Sequence, residues 1–207
     1  MGDLDMERET EKQKVWRALR PGKAVRRENL LAISPSVDRC LKELVAEAKV
    51  RKLSQGLYMR PKETAFGPAA ADETMLLRSF LKTDHFFVFN PSVFNSLGLG
   101  TTQLYNKRIV INPKRHGELS IAGRNFSFQR RDSAKVPKEA SPEVLVVEML
   151  NGLSELAEDE KQIMSSLERK LTEFDSKQLA RAVQKYGSHS THLKYLRLTE
   201  ASEANCA

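Results

Sequence analysis

Between Ser34 and Pro61 the chain reads SPSVDRCLKELVAEAKVRKLSQGLYMRP, an amphipathic helix that runs straight into two short extended stretches turned at Gln55-Gly56. Ser34 and Pro35 offer an N-cap residue followed by proline at the first helical position, so the helix is expected to begin near Pro35. Val37, Leu41, Leu44, Val45 and Ala48 recur at helical spacing and make one apolar stripe, leaving Ser36, Arg39, Lys42, Glu43 and Ala46 on the other side. VRKL and GLYMR are strand-like, and Gly56 supplies the positive φ that the turn between them needs.

The stripe needs a cover, and the preceding chain provides one. Thr10 and Gln13 have capping-box spacing ahead of KVWRALRPG, where Val15, Trp16 and Leu19 share a face and Gly22 is expected to end the helix. RRENLLAI is expected to form a short second helix. Helix, helix, helix and hairpin in that order predict a winged helix-turn-helix. In that fold the third helix enters the major groove, with Arg39 and Lys42 reaching base edges or phosphates and Ser36 near a phosphate at the positive helix end. Leu53, Leu57 and Met59 would pack back on the helices, while Arg51, Lys52, Gln55 and Arg60 face phosphates or the minor groove. A solvated helix face and an ordinary solvent-facing hairpin have the same local pattern.

Charge bears on that choice. Residues 12–62 carry 14 Lys+Arg against 4 Asp+Glu, a balance of +10, and residues 82–138 carry 10 against 3, or +7. Residues 139–207 carry 8 against 12, or −4, so the basic character lies toward the front and argues for a polyanionic partner.

Beyond Pro61 the composition changes. KETAFGPAAAD is a linker candidate, DETMLLRSFLKT a helix with Met75, Leu76, Leu77, Phe80 and Leu81 apolar, FFVF a strand, and NPSVFNSLG a short helix closing on Gly98. RIVIN, ELSIAG and NFSFQRR alternate, with Ile109 and Ile111, Leu119 and Ile121, and Phe126 and Phe128 expected on one face of a small antiparallel sheet. Ala122-Gly123-Arg124 reads as a tight hairpin connection. Ser141-Pro142 repeats the cap-and-proline pairing and opens a helical tail: PEVLVVEMLNGLSEL, EDEKQIMSSLERKLTEF, SKQLARAVQKYG and HLKYLRL. The expected architecture is α+β: a winged helix over 1–62, a linker over 63–74, and a mixed domain over 75–207 with a small antiparallel sheet and C-terminal helices.

SPSVDRCLKELVAEAKVRKLSQGLYMRP, FNSLGLGTTQLYNKRIVINPKRHGELSIAGRNFSFQRR and the late RAVQKYGSHSTHLKYLRL together resemble the bacterial AbiE-type antitoxin and transcriptional regulator family over roughly residues 12–198. Gly56-Leu57-Tyr58 before Arg60-Pro61, and Leu97-Gly98-Leu99 followed by Thr101-Thr102, carry the resemblance most specifically. The resemblance implies an N-terminal winged helix that represses its own operon by binding double-stranded operator DNA, inverted repeats included, and a C-terminal domain tied to antitoxin activity. It also implies a nucleotidyltransferase-like toxin as functional partner, countered without a stable complex. The DNA-reading positions carried over are Ser36, Arg39 and Lys42 on the third helix and Arg51, Lys52 and Gln55 in the wing. Ala48 stands where the family often has glycine between helix and wing, and the helix is expected to run on for another turn there.

Other chemistry has less to stand on. His85, His116, His189 and His192 are scattered, and the i, i+3 pair His189 and His192 lacks a third ligand in the sequence. Glu118 or Asp132 with Lys135 is the nearest approach to a nuclease pattern, without a paired carboxylate for two-metal chemistry. A solitary transcription regulator without a toxin is one further alternative, and a binding module for RNA or a partner protein is another, its second basic site comprising Lys107, Arg108, Lys114, Arg115, Arg124, Arg130 and Arg131, with the turn Lys114-Arg115-His116-Gly117 at a hairpin tip. No catalytic residues, metal or cofactor are expected, so the chain is read as a non-enzyme. Cys40 and Cys206 make no disulfide framework, and Cys40 reads as a core residue. No apolar run approaches the roughly 18 residues of a membrane span, and the opening MGDLDMERETE is unlike a signal peptide, so a cytoplasmic monomer or weak homodimer is expected.

Overall fold

The computed structural model describes residues 9–65 and 67–206, with side chains through Glu200. Most of the opening MGDLDMERETE, Phe66 of the expected linker and the Cys206 thiol lie outside the described residues. The chain divides into two compact units, Met1–Asp84 with Ile121–Gly123, and His85–Ser120 with Arg124–Ala207.

In the first unit, helix α1 (Glu11–Ala18) starts at the expected capping box: the Thr10 hydroxyl accepts from Gln13 N at 3.3 Å and Gln13 Oε1 accepts from Thr10 N at 2.7 Å. The helix stops at Ala18, ahead of Gly22, which instead turns the chain at φ +78°. Strand β1 (Ala24–Arg26) follows, and the expected second helix is a single 3-10 turn, Arg27–Leu30. Helix α2 (Val37–Ala46) begins later than Ser34-Pro35 predicts. Ser36 is its N-cap, and Ser34 is buried with its hydroxyl accepting from Ser36 N at 3.0 Å.

Val37, Cys40, Leu41 and Leu44 of α2 pack with Val15, Leu19, Leu30 and Val50 in one apolar cluster, so Cys40 is the core residue expected. Burying side chains of this size contributes about 1.5–3 kcal/mol each. Ala48, assigned to the stripe by its spacing, is instead exposed beyond the helix at φ +55°, and Lys49 N and Val50 N both donate to Leu44 O at 3.0 and 3.1 Å. The helix therefore closes with a left-handed cap made by alanine, and the extra helical turn does not form.

Strands β2 (Arg51–Ser54) and β3 (Leu57–Met59) form the hairpin, with Gly56 at φ +67° in its turn. The sheet order is β1-β3-β2, with Val25 opposite Tyr58 and Ala24 opposite Met59. Val25 and Tyr58 pack on the helical cluster. Leu57 and Met59 alternate to the other face, so they do not pack back on α1 and α2 as expected. That face also holds Arg26, whose guanidinium donates to Ser79 O at 2.9 Å and to Phe80 O.

Ser79 and Phe80 belong to helix α3 (Glu73–Leu81), capped by Asp72 and preceded by a small ribbon of β4 (Glu63–Thr64) and β5 (Gly67–Pro68). The Ser79 hydroxyl donates to Ala24 O at 3.1 Å. These bonds group residues 75–84 with the first unit, moving the boundary expected before residue 75.

The second unit holds β6 (Phe87–Phe89), a 3-10 stretch Pro91–Leu97 closing on Gly98 at φ +64°, β7 (Lys107–Asn112), β8 (Gly117–Ile121) and β9 (Arg124–Arg130). Its strand order is β6-β7-β9-β8. β6 runs antiparallel to β7, whereas β7 and β9 are parallel from Lys107↔Asn125 to Asn112↔Arg130. The sheet is therefore mixed rather than antiparallel, because β9 enters between β7 and β8. Val110 pairs with Phe128, which sets Phe126 and Phe128 on the face away from Ile109 and Ile111.

Helix α4 (Pro142–Asn151) is capped by Ser141 as expected and is buried on every side from Glu143 to Leu150. Around it lie α5 (Glu160–Lys170), α6 (Ser176–Tyr186) and α7 (His189–Cys206). Phe87, Phe89, Phe94 and Ile111 meet Val146, Met149, Leu167 and Val183 in the core. The fold is α+β. No helix among the described residues is long and apolar enough to cross a membrane.

Candidate nucleic-acid interface

The two faces of α2 are chemically opposite. With Val37, Cys40, Leu41 and Leu44 turned into the cluster, Ser36, Arg39, Lys42 and Ala46 are left exposed. The Ser36 side chain makes no capping bond to the helix, so its hydroxyl stands exposed at the positive end of α2. Arg39, 84% exposed, bonds Glu43 one turn along at 3.0 Å. An exposed pair of this kind contributes roughly 0–1 kcal/mol, so the guanidinium is readily transferred to a phosphate or base. Lys42 is exposed and has no ion pair among the described residues.

The flanks of this face are braced by ion pairs. Lys12 of α1 reaches Glu43 at 3.7 Å and bonds Glu47, whose carboxyl is held below its ordinary range by Lys12 and by Lys49. Arg27 donates through two nitrogens to Asp38, and these hydrogen bonds push the Asp38 carboxyl below its ordinary range. Neither Lys12 nor Arg27 was singled out by the sequence, because their partners lie on α2 at separations no local pattern reveals.

Arg51, Lys52 and Gln55 are exposed on the hairpin that follows α2, with Gln55 in its turn. Arg60 departs from the expectation. Its guanidinium lies 3.6 Å from the centroid of the Trp16 ring, so it braces the hairpin's end against α1 instead of standing out with the others. Six of the seven expected positions are thus exposed on α2 and the hairpin of one unit.

Most residues of the expected second basic site are engaged within the fold. Lys107 pairs with Glu118 at 3.0 Å, and Arg131 is drawn inward by a bidentate bond to buried Glu148 at 2.7 and 2.8 Å. Arg108, Lys114, Arg115 and Arg124 each have an interaction partner. The turn at Lys114 and Arg115 is itself held by Asn112, whose Oδ1 accepts from both backbone N–H groups at 2.9 and 2.7 Å. Arg130 alone of the seven is exposed without an ion pair among the described residues.

Several residues of the weaker patterns have structural partners. Glu118 is the Lys107 partner, Asp132 precedes the 3-10 turn Ser133–Lys135, and the Nδ1 of His192 faces Ser188 O at 2.8 Å. His85 Nε2 lies 2.8 Å from Ser133 O. The Thr101-Thr102 stretch is anchored by Glu158, which accepts from Thr102 N and Gln103 N at 2.9 and 3.0 Å, while Leu99 is fully buried.

No family model matches the chain, and no curated protein matches it. Among solved structures, the chain is similar to that of the RV2827C protein from Mycobacterium tuberculosis, with a TM-score of 0.56 and 16% identity, over 93% of this chain and 77% of that one. At that identity the likeness concerns the fold alone.

Proposed function

We propose that the first unit is a winged helix that binds duplex DNA with α2 in the major groove and the β2–β3 hairpin as wing, and that the protein is a transcriptional repressor of its own operon. The observation that carries this reading is the single exposed face Ser36, Arg39 and Lys42 on a helix whose reverse side is buried, followed at once by a hairpin presenting Arg51, Lys52 and Gln55. Phosphate contacts from the hairpin fix the register, and the α2 side chains read the sequence. Arg39 gives up an exposed pair with Glu43 to do so, which costs little.

The antitoxin role rests on the resemblance to AbiE-type regulators, and it places a nucleotidyltransferase-like toxin as the functional partner, countered without a stable complex. The protein acts in this reading as a binding protein, not an enzyme, in the cytoplasm, and as a monomer or weak dimer on inverted repeats.

Fluorescence anisotropy with the DNA upstream of the gene, against a scrambled duplex over a salt series, tests the repressor reading. Base-edge contacts contribute about 1–3 kcal/mol each, so R39A/K42A is expected to lower specific affinity at least ~30-fold while scrambled-duplex binding falls less. Equal, steeply salt-dependent binding to both duplexes, or an unchanged affinity in the double variant, overturns it.

A further inference from the structure

Two open clefts lie side by side in the second unit and share Tyr186 as a wall. One, of about 580 Å³, is bordered by the end of β9 and the turn after it, with Arg130 and Lys135, and by Tyr186 to Ser188 between α6 and α7. The other, of about 400 Å³, is bordered by Lys138, Arg181 and Lys185. Arg131 also lines the first cleft, but its charge is answered by Glu148. Asp132 and Glu139 are the carboxylates in the two linings, against five further cations, Arg130, Lys135, Lys138, Arg181 and Lys185. Arg130, Lys135 and Lys138 have no ion pair among the described residues.

Helix α6 extends this cationic lining. SKQLARAVQKY contains no acidic residue, although the chain from 139 onward is acidic in balance. Leu179, Ala182 and Val183 face the core, and Lys177, Arg181 and Lys185 stand exposed at i, i+4 and i+8. At about 1.5 Å rise per residue these cations are ~6 Å apart, a step comparable to that between successive phosphates of an extended strand. Tyr186 is half-buried at the edge of the core where the row meets both clefts, with the Lys185 ammonium 5.1 Å from its ring centroid. Cations spaced along an open groove around an aromatic ring are the elements from which single-strand sites are built: the cations follow the backbone and the ring stacks a base. Each cleft has a volume in the range that takes a small molecule of nucleotide size.

We propose that the second unit carries a groove for single-stranded nucleic acid, running along α6 from Lys177 past Tyr186 to Arg130, with Tyr186 as the stacking platform. It is independent of the duplex-reading face of α2. The bases are held by shape and stacking, and binding is salt-dependent and weakly sequence-dependent.

The full-length protein is titrated against labelled single-stranded RNA, the same sequence as single-stranded DNA, and the blunt duplex, each about a dozen nucleotides long. The expected result is saturable binding of a single strand that the duplex competes away poorly, with an RNA preference marking 2′-hydroxyl contacts and equal affinity marking backbone and stacking alone. K135A/R181A/K185A is expected to lose at least ~10-fold and to shallow the salt slope by roughly 0.7 per phosphate contact removed. Tyr186→Leu is expected to weaken binding with the slope unchanged, and Tyr186→Phe to retain it, which separates stacking from charge. R39A/K42A is expected to leave single-strand binding intact, so this groove and the duplex reading fail separately. Single strands bound no better than duplex, or a triple variant of unchanged melting temperature with unchanged single-strand affinity, overturns the groove. Should Tyr186→Leu unfold, the exposed charge variant decides.

Discussion

Ala48 shows most directly how one residue sets the geometry of the candidate interface. It holds φ +55° so that Lys49 N and Val50 N can both close on Leu44 O, and this sharp exit carries the chain from α2 into the hairpin. A left-handed alanine crowds its Cβ against the following carbonyl, whereas glycine has no Cβ to crowd. Ala48→Gly is therefore expected to stabilise the first unit by about 0.5–1 kcal/mol, seen as a rise in the urea midpoint; an unchanged or lowered midpoint would show the strain to be absent. From the sequence, alanine here argued for a longer helix, because helix propensity is local while the demand to turn comes from the hairpin's packing. Arg60 is hard to place from sequence for a similar reason. A basic residue beside Pro61 looks outward until Trp16, distant in sequence, is seen beneath it. Ser36, Arg39 and Lys42 were legible because the buried stripe of their own helix determines which way they face.

At the scale of elements, periodic segments were legible and those made by pairing were not. The capping box of α1, the proline-led start of α4 and the apolar face of α3 are signals inside a few residues, and each marks a real element. β1 is three residues, Ala24–Arg26, with no strand signature of its own; it exists because β3 offers it Tyr58 and Met59 as partners. The parallel pairing of β7 and β9 escaped for the same reason, since alternation shows that a segment is extended and says nothing of its neighbour. Junctions between helices follow close packing more than local preference, and Gly187 is the clearest case. Its φ of −66° suits any residue, yet an added Cβ would meet Val183 O at 2.5 Å and the His192 ring at 3.1 Å. Gly187→Ala is expected to destabilise the second unit by about 1–3 kcal/mol, because the contact at Val183 is with backbone and cannot rotate away. A melt followed by far-UV circular dichroism measures this, and a neutral result would mean that α7 can shift freely against α6.

For the whole molecule, the basic front of the chain ties its few carboxylates to its own cations: Asp38 with Arg27, Glu47 with Lys12 and Lys49, and Glu28 with Lys82. In each, a hydrogen bond from the cation is the main reason the carboxyl titrates below its ordinary value, with charge attraction adding to it. A carboxyl whose folded pKa is depressed contributes stability that is fully present above its unfolded value, about 4 for Asp and Glu, and is lost as pH falls through the folded value. The first unit should therefore weaken on acidification below about pH 4, and the effect should fade in high salt because all three pairs are exposed. A single transition for the whole chain would blur this, since two units need not unfold together. Trp16, the one tryptophan in the sequence, lies under Arg60 in the first unit and reports on that unit separately. Tryptophan fluorescence melts over an acid series should show D38N/E47Q starting less stable at neutral pH and losing less on acidification than the unsubstituted protein. Curves that stay parallel down the series would mean the pairs contribute nothing beyond solvation, leaving the cations around α2 free for an anionic partner at no cost to the fold.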